Sequence, residues 1–130
     1  MFIQIDLSSS VAIYEQVVQQ IKFAIAAGSI LTNELIPSVR ELSKQLALNP
    51  NTVARAYRTL QDEGIVYARR GTGLAVATES PDRCKNERRN WFESQFRKLF
   101  TEAVRSRLQN EEIRDIVHAC LDASQQVTAE

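Results

Sequence analysis

The sequence predicts a mainly α (α+β) fold: three helices closed by a short two-stranded hairpin, then a C-terminal two-helix hairpin. Three observations predict it. Residues 37–63 carry two helical apolar stripes separated by one tight turn. Residues 65–77 carry two short apolar runs around a glycine-containing tip. From residue 83 onward the chain reads as helical throughout and holds four of the nine aromatic residues.

In the first of the paired helices, Pro37 to Ala47, Val39, Leu42 and Leu46 fall at i, i+3 and i+7 and make one apolar stripe. Ser38 followed by Glu41 has the capping-box spacing. Leu48-Asn49 is the turn. Asn49 suits the N-cap and Pro50 the first helical position, where its missing N–H would have had no partner in any case. The second helix spans about Pro50 to Glu63, and Gly64 ends it. Val53, Ala56, Tyr57 and Leu60 face inward; Asn51, Arg55, Arg58 or Thr59, and Asp62 face outward. An exposed helix with Asn, Thr and Arg near its N-terminus suits a DNA major groove. The groove admits one helix, and Arg and Asn can each make two bonds to a purine. The same face also reads as the solvated side of a core helix, as most charged helix faces are.

The runs Ile65-Val66-Tyr67-Ala68 and Leu74-Ala75-Val76-Ala77 flank Arg69-Arg70-Gly71-Thr72-Gly73. The glycines supply the positive φ that a hairpin tip needs. Arg69 and Arg70 are expected to stand away from the domain and reach phosphates or a minor groove; a basic tip also keeps a hairpin soluble. Helix, turn, helix and basic hairpin together describe a winged helix-turn-helix.

Several spaced motifs carry a family resemblance: Tyr14-Glu15-Gln16-Val17, Gly28, Ile36-Pro37-Ser38-Val39-Arg40-Glu41-Leu42, Asn49 through Tyr57, Leu60 with Glu63-Gly64, and Arg70-Gly71-Thr72-Gly73. In this order they resemble the DNA-binding domain of the GntR family of bacterial transcriptional regulators, over roughly the first 78 residues. The Asn-Pro-Asn-Thr-Val run and the short tail are most similar to the YtrA subfamily. The resemblance implies a homodimer that binds a palindromic operator in double-stranded DNA, usually as a repressor. It also implies DNA contacts by Arg40, by Asn51 and Thr52, and by Gly71 with its neighbour Arg70. Arg55 is added from the outward face of its helix, and Ser38, Arg58 and Arg69 complete the candidate set. The chain departs from the family in having Thr32-Asn33 where Pro-Gly is usual; Asn tolerates left-handed geometry, so the turn is expected to survive. Ala75 stands where the wing usually has an aromatic residue.

Net charge is formally zero, which counts against a generic nucleic-acid binder. Residues 34–78 nevertheless hold six basic and four acidic side chains, a modest positive segment. No apolar run is long enough to cross a membrane and no signal peptide is evident, so the expectation is a cytoplasmic protein. Cys84 and Cys120 match no zinc spacing and are read as reduced thiols.

At the N-terminus, Phe2 to Leu7 alternates apolar residues and reads as a short strand or as an arm packing on a partner. Ser8, Ser9 and Ser10 offer caps to a first helix of about Val11 to Ala27. Its apolar face is Tyr14, Val17, Val18, Ile21, Ala24 and Ile25, and its role is to support the two reading helices. Glu34-Leu35-Ile36 is expected as a small first strand of the winged sheet. Glu79-Ser80-Pro81-Asp82 reads as a break, dividing a DNA-binding domain, 1–78, from a helical segment, 79–130.

That segment is expected as one helix from Arg83 to about Leu108, a turn at Gln109-Asn110, and a second helix from Glu111 to about Ala123. Trp91, Phe92, Phe96, Leu99 and Phe100 on the first, and Ile113, Ile116, Val117 and Leu121 on the second, are candidate dimerisation residues. Each aromatic can bury roughly 150–250 Å². A two-helix tail has too little surface of its own to cover them, so a second chain is the natural cover. Residues 83–107 hold eight basic and three acidic side chains and residues 108–130 one basic and five acidic, so the helices attract each other within a chain or across a dimer. The alternative is a hairpin folded back on its own winged domain.

No cofactor or metal is expected. An enzyme reading fares badly, because His118 is the only histidine and no Ser or Cys nucleophile motif surrounds it. Glu111, Asp115, His118 and Asp122 lie near one helix face, a spacing that reads first as a solvated acidic face. A second function class is a protein-interaction module that dimerises through its tail without reading DNA. The basic wing and the Asn/Arg face favour DNA. A small-molecule effector would act by favouring one spacing of two reading heads, and the aromatic hairpin is where its pocket is sought.

Overall fold

In chain order the computed structural model, which describes residues 3–128, contains α1 (Ile13–Ala26), α2 (Val39–Leu46), α3 (Pro50–Asp62), β1 (Val66–Arg69), β2 (Gly73–Val76), α4 (Ser80–Arg105) and α5 (Asn110–Thr128). The chain forms two compact units, residues 1–90 and 91–130. The mainly α architecture with a hairpin wing and two C-terminal helices is the one expected.

The first unit is built around α1. Val17, Ile21 and Ile25 are fully buried on one side of it, against Leu42 of α2 and Val53, Ala56 and Leu60 of α3. These are the inward positions that the 3.6-residue period selects. Gly64, just past α3, has φ +74, the left-handed geometry a helix C-terminus uses and a side chain would resist. The chain then turns at once into the wing. There Val66 pairs with Val76 and Arg69 with Gly73 in an antiparallel ladder.

The expected strand at 34–36 is a single bridge, Leu35 with Ala75. It is still well bonded: the Val76 N–H donates to the Glu34 carbonyl and the Ile36 N–H to the Leu74 carbonyl, both at 2.9 Å. Pro37 follows immediately and has no N–H with which to extend a ladder. Asn33 does take the left-handed conformation, φ 67. Ala75, in β2 itself, is fully buried.

At the N-terminus the strand alternative does not hold for the described residues; Phe2 lies outside them. Residues 3–7 form no strand, and Ile3 is buried in the chain's own core. Gln16 holds this arm. Its Oε1 accepts from the Asp6 N–H at 2.8 Å, and its Nε2 donates to the carbonyls of Asp6 and Val11, both at 3.0 Å. No serine side chain caps α1, whose N-cap is Ala12. The Ser9 hydroxyl accepts from the Val11 N–H instead.

Helix α4 also starts earlier than expected. Glu79 lies in a turn and residues 80–82 already belong to the first turn of the helix, so the stretch is not a break. The fully buried Ser80 hydroxyl donates to the Ile65 carbonyl at 2.6 Å, and Cys84 one turn on is fully buried in the core. Polar composition and a proline suggested a linker; Pro81 is instead tolerated in a first helical turn. In the second unit, Trp91, Phe92, Phe96, Leu99 and Phe100 of α4 are 41–67% exposed, and Ile116, Val117 and Leu121 of α5 are 46–57% exposed. Ile113 is half-buried.

Candidate nucleic-acid interface

Local chemistry fixes the start of each helix of the α2–α3 pair. The Ser38 hydroxyl accepts from the Glu41 N–H at 3.1 Å and starts α2. The Asn49 side chain accepts from the Asn51 N–H at 2.8 Å, with Pro50 next in line, and starts α3. Between them Ala47 closes α2 in the left-handed conformation, φ 52. The angle of the pair is held from inside: the Tyr57 hydroxyl donates to the Pro37 carbonyl at 2.7 Å. Burial, and then the charge of Glu41, push that phenol above its ordinary pKa, so it stays a donor.

Lys22 on α1 ties the far end of α3. Its Nζ meets Glu63 and Glu87 at 2.8 Å each. Burial alone would lower this lysine; its bonds to the two carboxylates outweigh that and leave it above its ordinary value. With Ser80 and Cys84 these contacts make the start of α4 part of the first unit.

Asn51, Arg55 and Arg58 of α3 are exposed, and Thr52 is half-buried at the start of the same face. Ser38 and Arg40 are exposed at the start of α2. Arg70 and Gly71 are exposed at the wing tip, and Gly71 has φ +77 with open space around it. The tip is closed by the Thr72 N–H and hydroxyl, both donating to the Arg69 carbonyl. Among the described residues, none of Arg40, Arg55, Arg58 and Arg70 is in a salt bridge. Their charge is therefore available to an anion such as a phosphate.

Two arginines sit differently from expectation. Arg69 does not stand away with Arg70. Its guanidinium turns back and donates to the Asn33 carbonyl and to the Tyr67 hydroxyl, which in turn donates to Asn33 Oδ1 at 3.0 Å. From the last position of β1 it reaches back to Asn33, whose N–H donates to the Val76 carbonyl at the other end of the hairpin. Arg55 is exposed as expected, but its guanidinium lies over the Tyr14 ring, 3.7 Å from the centroid. Sequence reasoning placed Tyr14 in the core stripe and did not single out Asn33 or Tyr67 as wing supports. Such contacts join residues more than 30 positions apart and leave no local pattern.

Glu111, Asp115, His118 and Asp122 do not converge. Among the described residues no group of three or more acidic, His or Cys side chains could hold a metal ion. Cys84 and Cys120 are both free thiols, the first buried and the second exposed. Among the described residues no helix is long and apolar enough to cross a membrane.

Residues 13–76 match the profile of the bacterial regulatory proteins of the gntR family. The chain is 37% identical over 101 residues to the HTH-type transcriptional repressor YtrA of Bacillus subtilis, which covers 78% of each chain. Its fold is similar to that of a GntR family transcriptional regulator from Listeria monocytogenes: TM-score 0.71, 29% identity, 87% of this chain and 98% of that one. It is also similar to the DNA-binding domain of AraR, solved in complex with operator ORX1: TM-score 0.51, 27% identity, 59% of this chain and 99% of that one.

Proposed function

This chain belongs to the GntR family of bacterial regulatory proteins and is a DNA-binding transcriptional regulator, and on that premise we propose that it is a repressor acting as a homodimer on a palindromic operator. One observation carries the DNA-reading part: α3 is buried on Val53, Ala56, Tyr57 and Leu60 and exposed on Asn51, Arg55 and Arg58, and Arg70 is exposed at the wing tip. Asn51, Thr52 and Arg55 would meet base edges or nearby phosphates from α3. Ser38 and Arg40 at the start of α2, Arg58, and Arg70 with Gly71 would hold the backbone. Arg69 would act through the wing's attitude, since its guanidinium is already engaged.

The dimer is supported by the exposed apolar side chains of residues 91–121. Trp91, Phe92, Phe96, Leu99 and Phe100, with Ile113, Ile116, Val117 and Leu121, would meet their counterparts on a second chain. Two copies would then place two α3 helices about 34 Å apart, one turn of DNA, over inverted half-sites. The Bacillus subtilis relative is a transcriptional repressor, and repression fits a dimer occupying an operator. Such a regulator works in the cytoplasm. An effector would have to favour one spacing of the two heads.

Selection of bound duplexes from a random pool, paired with sedimentation of the free protein, tests the reading. An inverted repeat with half-sites one turn apart and a dimeric species support it; a single unrepeated half-site bound by a monomer refutes the dimer.

A further inference from the structure

We propose that Tyr14 on α1 is a positioning residue for DNA recognition, holding Arg55 of α3 so that the edge of its guanidinium faces the duplex. The inference rests on the reading that the exposed face of α3 enters the groove, and it adds a residue outside the helix-turn-helix to the recognition apparatus.

Four observations carry it. The Arg55 guanidinium lies over the Tyr14 ring at 3.7 Å from its centroid, well within the range of a cation–π contact. Arg55 sits one helical turn beyond Asn51 and is exposed, while Tyr14 is half-buried and packed against the core. The anchor is thus the fixed partner and the arginine the presented one. The Tyr14 hydroxyl donates to Glu15 Oε1 at 3.2 Å. Donation to a carboxylate makes the ring more electron-rich, which strengthens its attraction for a cation. Finally, among the described residues no carboxylate is paired with Arg55, so the N–H groups along its edge remain for a base or a phosphate.

The physical consequence is pre-organisation. A free arginine spreads over many rotamers and loses that freedom when it binds; a stacked one has already lost most of it. The ring occupies one face of the planar guanidinium and leaves the fork of donors that can bind a guanine edge bidentately. Lysine has no such plane, so Arg55→Lys keeps the charge and loses the geometry.

The test uses the full-length protein and duplexes that the wild type selects from a random pool. Tyr14→Phe keeps the ring and is expected to bind within about twofold of wild type. Tyr14→Leu is expected to weaken binding about two- to fivefold, the range of an exposed cation–π contact. It should also flatten base preference at the same half-site position that Arg55→Lys flattens. The double variant should be no weaker than the weaker single one. Arg55→Lys, at an exposed position, supplies the comparison should Tyr14→Leu fold poorly: its base preference must then change at one position of each half-site. Variants that lose melting temperature but keep affinity and base preference overturn the proposal and leave the groove reading standing. A wild type that selects no duplex overturns both.

Discussion

The Tyr57 hydroxyl donates to the Pro37 carbonyl at 2.7 Å, joining the buried side of α3 to the residue that leads into α2. This one bond crosses the turn and fixes the angle at which α3 is presented. Tyr57→Phe should destabilise the protein by about 1–3 kcal/mol, because the half-buried Pro37 carbonyl loses its partner. Chemical denaturation measures this, and operator affinity should fall with it as the helix pair loosens.

Ala47 offers the opposite change. It is exposed, yet it holds a left-handed φ of 52 at the end of α2. That conformation costs an L-residue about 1–2 kcal/mol, and glycine adopts it freely. Ala47→Gly should therefore raise stability by about 0.5–1 kcal/mol, read as a higher denaturant midpoint with an unchanged slope.

How much of this was legible in the sequence follows from how local each feature is. Asn49-Pro50 and Ser38 with Glu41 announced both helix starts, because a cap is made within three residues of itself. Val53, Ala56, Tyr57 and Leu60 were found because burial follows the helical period. Ser80 was read as part of a break. Its role depends on the Ile65 carbonyl, which only the folded wing brings to it. Arg69 and Arg55 stand out in the sequence only as basic residues of the candidate surface. Their partners, Asn33 and Tyr14, lie 36 and 41 positions away, beyond the reach of any spacing rule.

Alkaline pH should expose the packing of α4 on the core. Burial pushes the Cys84 thiol from its ordinary 9.0 up to about 11. Between these values the unfolded chain has lost a proton that the folded chain keeps. Stability is therefore whole below about pH 9 and falls as pH rises toward 11. Lys22, raised above 10.5, and Tyr57, raised above 10.0, add losses of the same sign at higher pH. Thermal melts across this window should show a declining midpoint, and Cys84→Ala should flatten the first part of the decline.

The exposed apolar side chains of residues 91–121 set an expectation for assembly. Replacing Trp91 and Phe96 with serine removes two large apolar surfaces, each roughly 150–250 Å² when buried. The double variant should sediment as a monomer while the wild type sediments as a dimer. Its affinity for an inverted repeat should fall toward that for a single half-site.

The most direct measurement is a salt titration of binding to a duplex selected by the wild type. The interface described here predicts that affinity falls log-linearly with salt. Arg70→Ala should reduce the slope by about one for each wing that meets a phosphate, with little change in base preference. Asn51→Ala should cost about 1–3 kcal/mol and relax preference at one position of each half-site. Affinity that does not respond to salt, or an Asn51→Ala variant with the wild type's affinity and base preference, would contradict the claim that α3 and the wing read DNA.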